Sequence, residues 1–156
     1  MGIGYMRVFN HDTLVAGAVW PMHPHRDIEG ITYVVAGHFE HADSLGNDGV
    51  LEPGGVQRMR LGSGAQHSER NHSKSEEMQF IQIWILPSQR GLQPDVVQKQ
   101  FTPADRTDRL LRFLVAQGKL TSSYPTERLK MIDLRKATAT RVRLATRKER
   151  WTVQAA

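Results

Sequence analysis

The sequence predicts an all-β fold, a sandwich or small barrel. Three observations point there. Segments rich in β-branched and aromatic residues recur at short intervals, Gly, Pro, Asn and Asp separate them, and the first half of the chain keeps no helical period.

In chain order, Met6 and Val8 alternate with polar or neutral neighbours as a strand does, and Asn10-His11-Asp12 reads as a turn. Residues 14–20 form a small apolar run into His23 and His25, with Pro21 and Pro24 on either side of His23. Proline within a strand implies an edge or a bulge, and fixing φ here limits the freedom of both histidines. Ile31-Thr32-Tyr33-Val34-Val35 predicts a strand ending at Ala36-Gly37. His38-Phe39-Glu40-His41 alternates, and residues 43–49 are a dense turn signal. Val50-Leu51 is a short strand closed by a Pro53-Gly54 turn, and residues 56–61 alternate as a half-buried strand. Gly62 and Gly64 allow a tight turn before His67. After a polar loop over 71–77, residues 78–86 are the strongest strand in the chain.

Beyond Pro87 the pattern weakens. Residues 87–103 read as a linker or surface arm, and 104–117 as a short helix or a strand. Residues 121–156 are basic and weakly patterned, with candidate strands at 130–134, 140–144 and 151–154.

Composition sets the bounds. The 156 residues fit one ordinary domain with a short appendage, and 39% hydrophobic content supports a modest core. The net charge of +5 is concentrated between Arg135 and Arg150. No aromatic residue interleaves those basic residues before Trp151, so the run reads as a solvated face and a nucleic-acid partner is not expected. Cysteine is absent, which removes disulfides and thiolate metal sites. With no apolar run near 18 residues and no secretory leader pattern, no membrane contact is expected and a cytoplasmic location is.

The chemistry is carried by two short stretches, Pro21-Met22-His23-Pro24-His25-Arg26 and Gly64-Ala65-Gln66-His67-Ser68-Glu69. Side chains at i and i+2 of a strand share a face, so His23 aims with His25 and His67 with Glu69. If the two strands are neighbours, three imidazoles and a carboxylate converge. That donor set suits a first-row transition metal with one or two positions left for water, dioxygen or substrate; iron(II) is expected first, with Mn, Cu, Ni or Zn as alternatives. Glu69 is favoured as the fourth ligand because it shares a face with His67, while Glu29, four residues after His25, competes as ligand, as partner to a histidine N–H, or as an unrelated ion-pair residue. His38 and His41 are three apart and cannot share a strand face, so they read as structural or pocket-wall residues; His11 and His72 read as loop residues.

Gly17-x5-His23-x-His25-x3-Glu29, ending near Gly37, resembles the first cupin motif, and Gly62-x-Gly64-x2-His67-x3-Asn71 is similar to the second. The longer run from Pro21 through Asn47, followed by GGVQRMRLGSGAQHSE and QIWILP, resembles the N-terminal domain of the pirin family over residues 1–101. The resemblance implies a cupin double-stranded β-helix, or jelly-roll barrel. It also implies a metal held by His23, His25, His67 and Glu69; because a metal-bound carboxylate can shift between roles, Glu69 is also the expected catalytic proton acceptor. Bacterial pirins are linked to quercetin 2,3-dioxygenase activity, so the expected substrates are O2 and a quercetin-like flavonol. The mammalian member is also described as a nuclear co-regulator of transcription factors, which leaves a non-enzymatic metal-binding regulator or partner-binding protein as the alternative. Pirins usually carry two barrels, whereas here about fifty residues follow the first. The expected organisation is therefore a cupin domain over 1–100 and a short extension over 101–156. A shortened homologue with a degenerate pocket is a third reading, and homo-oligomerisation through apolar surface that a second barrel would cover is a further expectation.

Overall fold

The computed structural model describes residues 5–107 in full, and beyond them three strands through their backbone. The chain divides into two compact units, Met1–Gln100 and Phe101–Ala156.

The first unit is built from nine strands: β1 (Met6–Leu14), β2 (Val19–His25), β3 (Glu29–Ala36), β4 (Phe39–Asp43), β5 (Asp48–Leu51), β6 (Gly55–Arg60), β7 (Ala65–Asn71), β8 (Met78–Ile85) and β9 (Asp95–Gln100). They form a five-stranded sheet in the order β1-β8-β3-β6-β9 and a four-stranded sheet in the order β2-β7-β4-β5. Every pairing is antiparallel. The two sheets pack face to face, as the Phe39 and Phe80 rings show by meeting at 5.4 Å across the interior. This is the jelly-roll sandwich of a cupin.

Two expectations need correction. Asn10-His11-Asp12 is not a turn but the middle of β1, where it pairs with Gln82, Ile81 and Phe80. Pairing with the strongest strand supplies ladder hydrogen bonds that override the local turn preference. Residues 95–100, read as linker, form β9 against β6. This edge strand, Asp-Val-Val-Gln-Lys-Gln, buries little apolar surface, so its sequence carries no strong alternation. The proline expectation is met. β2 is the edge of its sheet, and its register slips between Trp20 and His23, where Pro21 lies.

The interior is layered. At one end Leu14, Val34, Phe39, Leu51, Met78 and Phe80 form an apolar plug. Toward the other end Met59, Leu61 and Ala65 pack with Ile28 and Val96. Asn71 ties the plug end to the loops: its amide donates to the carbonyls of Leu14, Val15 and Glu76, and its Oδ1 accepts from Ser73 N–H. At the opposite end the β6–β7 turn passes so close to Leu92 that a Cβ at Gly62 would lie 1.8 Å from the Leu92 carbonyl oxygen.

In the second unit, Pro103–Arg106 forms a one-turn helix, α1, with Pro at its first position. The candidate strands appear as β10 (Met131–Asp133), β11 (Arg141–Ala145) and β12 (Arg150–Gln154), paired antiparallel in that order. The rest of the 104–117 and 121–156 expectations lies outside the described residues. No helix among the described residues is long and apolar enough to cross a membrane.

Candidate metal centre

β2 and β7 are neighbours, and His23 stands directly opposite His67. Along β2 His23 and His25 are half-buried while Met22 and Pro24 are exposed, so the two histidines turn inward together. The three rings gather at centroid distances of 4.4 Å (His23–His67), 4.8 Å (His23–His25) and 5.2 Å (His25–His67). One ring nitrogen from each lies within 4.8 Å of the others. Donors about 2.0–2.2 Å from a shared metal stand at most about 4.4 Å apart, so rotations of a few tenths of an ångström would close this set on one ion.

Glu69, two residues beyond His67 on the same face, places Oε1 3.7 Å from His67 Nδ1. That is too long for a hydrogen bond and within the span of two ligands of one metal. Glu29 is on the other face of β3: its register with Arg60 and Ile85 has the parity opposite to Thr32, which pairs with the inward-facing Gln82. The geometry therefore sets Glu69, and not Glu29, beside the three histidines.

Hydrogen bonding and burial act differently on the histidines and on Glu69. His23 Nδ1–H donates to the Pro21 carbonyl at 2.8 Å, which leaves Nε2 with its lone pair free. Burial, reinforced by its histidine neighbours, pushes His67 down to about 3. Burial and then His23 also lower His25, so both rings are neutral at physiological pH, the form that binds metals. Burial drives Glu69 the other way, up to about 7. Gln82 opposes this shift, its Nε2 donating to Glu69 Oε1 at 3.2 Å. Trp84 stands edge-on to His25 at 4.5 Å and walls that side of the site.

Several of these nitrogens are buried without a protein partner: His25 Nε2 and both ring nitrogens of His67. Buried polar atoms are nearly always paired, so such a cluster of unpartnered ring nitrogens fits a divalent cation better than it fits a dry core. His23, His25, His67 and Glu69 are the residues that could hold it.

The remaining histidines part company. His41 is fully buried, opposite Glu69 on β4, with its ring 5.7 Å from His67. It lies in the wall of the site. His72 pairs with Glu40 on the surface, where Arg70 also meets Glu40, and His11 is exposed on β1. Sequence reasoning missed Gln82 and Trp84. Their inward direction depends on which face of β8 meets the second sheet, and β8 is apolar on both faces.

The model of the family described as Pirin matches residues 2–85. The chain belongs to the pirin family. Among relatives, it is 48% identical over 108 residues to the Pseudomonas aeruginosa protein PA1210, covering 69% of this chain and 46% of that one. It is 43% identical over 101 residues to the quercetin 2,3-dioxygenase of Escherichia coli, covering 65% of this chain and 44% of the enzyme. Among solved structures, the Escherichia coli protein YhhW superposes with a TM-score of 0.65 at 41% identity over 67% of this chain and 45% of YhhW. The bacterial pirin YhhW in complex with nickel(II) gives 0.63 at 42% identity over 65% and 44%. The chain thus spans less than half the length of these pirins.

Proposed function

We propose that this pirin is a metal-dependent dioxygenase of quercetin-like flavonols, with iron(II) as the resident metal. The observation that carries the reading is the convergence of His23, His25 and His67, with unpartnered ring nitrogens on His25 and His67, beside the buried Glu69 carboxyl. The naming of an Escherichia coli relative as quercetin 2,3-dioxygenase supports the substrate class, and nickel in a related pirin supports a divalent metal.

A metal bound there would supply Lewis-acid polarisation of the flavonol's enol and keto oxygens and a route for electrons to O2. The chain supplies the rest. Glu69 takes the proton of the flavonol 3-hydroxyl, a role suited to a buried carboxylate held in place by Gln82. His23 is held in one tautomer by the Pro21 carbonyl. The apolar plug and Trp84 keep bulk water from the reacting ring. Both oxygen atoms enter the products as the heterocycle opens and carbon monoxide leaves. A soluble cytoplasmic setting belongs to the same proposal.

The test pairs metal analysis with oxygen uptake on quercetin. His67→Ala should lose both stoichiometric metal and turnover. Undiminished quercetin consumption by a metal-free variant would refute the reading.

A further inference from the structure

Between the apolar plug and the metal histidines lies a closed ring of polar side chains that the metal does not account for. It can be traced strand by strand. On β7 Glu69 stands opposite His41 of β4, and His41 stands opposite Gly49 of β5. Gly49 has no side chain, and the Gln98 Oε1 of β9 sits 2.9 Å from where its Cβ would be. Gln98 is opposite Gln57 of β6, Gln57 opposite Thr32 of β3, and Thr32 opposite Gln82 of β8. Gln82 closes the circuit by donating to Glu69. Directly opposed residues of antiparallel strands share a face, so the whole circuit faces the interior.

Most of this ring lacks partners. Thr32 and Gln57 are 0% exposed and His41 1%. Thr32 Oγ1, both amide atoms of Gln57, both ring nitrogens of His41 and Gln98 Nε2 are buried with no hydrogen bond. An apolar layer at these positions would have been the stable choice for a closed core, since unmet buried polar groups are costly. Their unmet donors and acceptors fit a polar guest better than a dry core. The four side chains are neutral and together offer both donors and acceptors, which matches hydroxyl and keto oxygens and gives no cation for a carboxylate or phosphate. Glu69 is two residues from His67, so the ring lies about 7 Å along the strand from that histidine, within the length of one multi-ring ligand.

We propose that Thr32, Gln57, His41 and Gln98 form a specificity site that reads the hydroxyl groups of a neutral polyphenol remote from the oxygens held at the metal. This deepens the flavonol reading above and rests on it. The test uses nickel(II)-loaded full-length protein under argon, titrated calorimetrically with two probes. Quercetin carries the additional hydroxyls; 3-hydroxyflavone keeps only the 3-hydroxy-4-keto pair. Gln57→Leu should weaken quercetin binding roughly ten- to a hundredfold, the range of one or two neutral hydrogen bonds, and leave 3-hydroxyflavone within about twofold. Nickel stoichiometry should not change. Thr32→Val, which keeps the side chain's shape, gives the same readout independently of whether Gln57→Leu folds.

Equal losses for both probes would overturn the proposal in favour of a structural role, and unchanged affinity for both would reduce the ring to a site for water. Either result leaves the flavonol reading standing. If the loaded wild type binds neither probe, the flavonol reading fails and the specificity site falls with it.

Discussion

Gln82 Nε2 donates to Glu69 Oε1 at 3.2 Å, joining the five-stranded sheet to the four-stranded sheet beside three convergent histidines. The bond orients a carboxyl that burial would otherwise protonate. Gln82→Leu should therefore weaken nickel(II) binding about 10–100-fold, the usual cost of losing a partner behind a metal ligand. Calorimetric titration checks this, and unchanged affinity would mean Glu69 is positioned by other contacts.

The metal-free protein should show a pH signature of Glu69. Its carboxyl sits near 7 when folded against an ordinary value of 4.5, so between those limits the folded state holds the proton more tightly. Stability contributed by this group therefore falls as pH rises from about 4.5 to 7 and stays reduced above, by ~3 kcal/mol at most. His67, depressed to about 3, acts with the opposite sign below 6.5, but it is common to wild type and variant. With chelator present, Glu69→Gln should be more stable than wild type at pH 8 and equal to it near pH 4. Parallel melting curves across that range would contradict the assignment.

His67 and His72 provide a matched contrast. His67 is buried in the cluster, whereas His72 pairs with Glu40 on the surface. His67→Ala should abolish stoichiometric metal, and His72→Ala should leave metal content unchanged and stability within about 1 kcal/mol. Elemental analysis of both purified variants decides the point.

Asn71 belongs to the fold and not to the chemistry. Its amide serves three backbone carbonyls at the plug end, so Asn71→Ala strands buried acceptors. A loss of about 2–3 kcal/mol in urea unfolding is expected, with metal affinity retained in the folded fraction. A drop in metal affinity without loss of stability would reverse that division.

Much of the site was legible before any coordinates. The i, i+2 spacing in His23/His25 and His67/Glu69 sets a common face by strand geometry alone, and Pro21 and Pro24 limit β2 to an edge or a bulge. Periodicity found the strands whose alternation reflects one buried face, such as β6. It failed at the centre of β1 and at β9, where pairing with a neighbour and not local preference makes the strand.

By itself, then, the sequence determined the all-β class, the family and the four residues capable of serving as donors, because each is written in short-range spacing and residue type. Only the tertiary structure set Glu29 on the other face of β3, brought Gln82 to the carboxyl, and joined Thr32, Gln57, Gln98 and His41 into one ring. Those relations depend on which strands become neighbours and in what register. A shift of one residue would turn every one of these side chains to the other face.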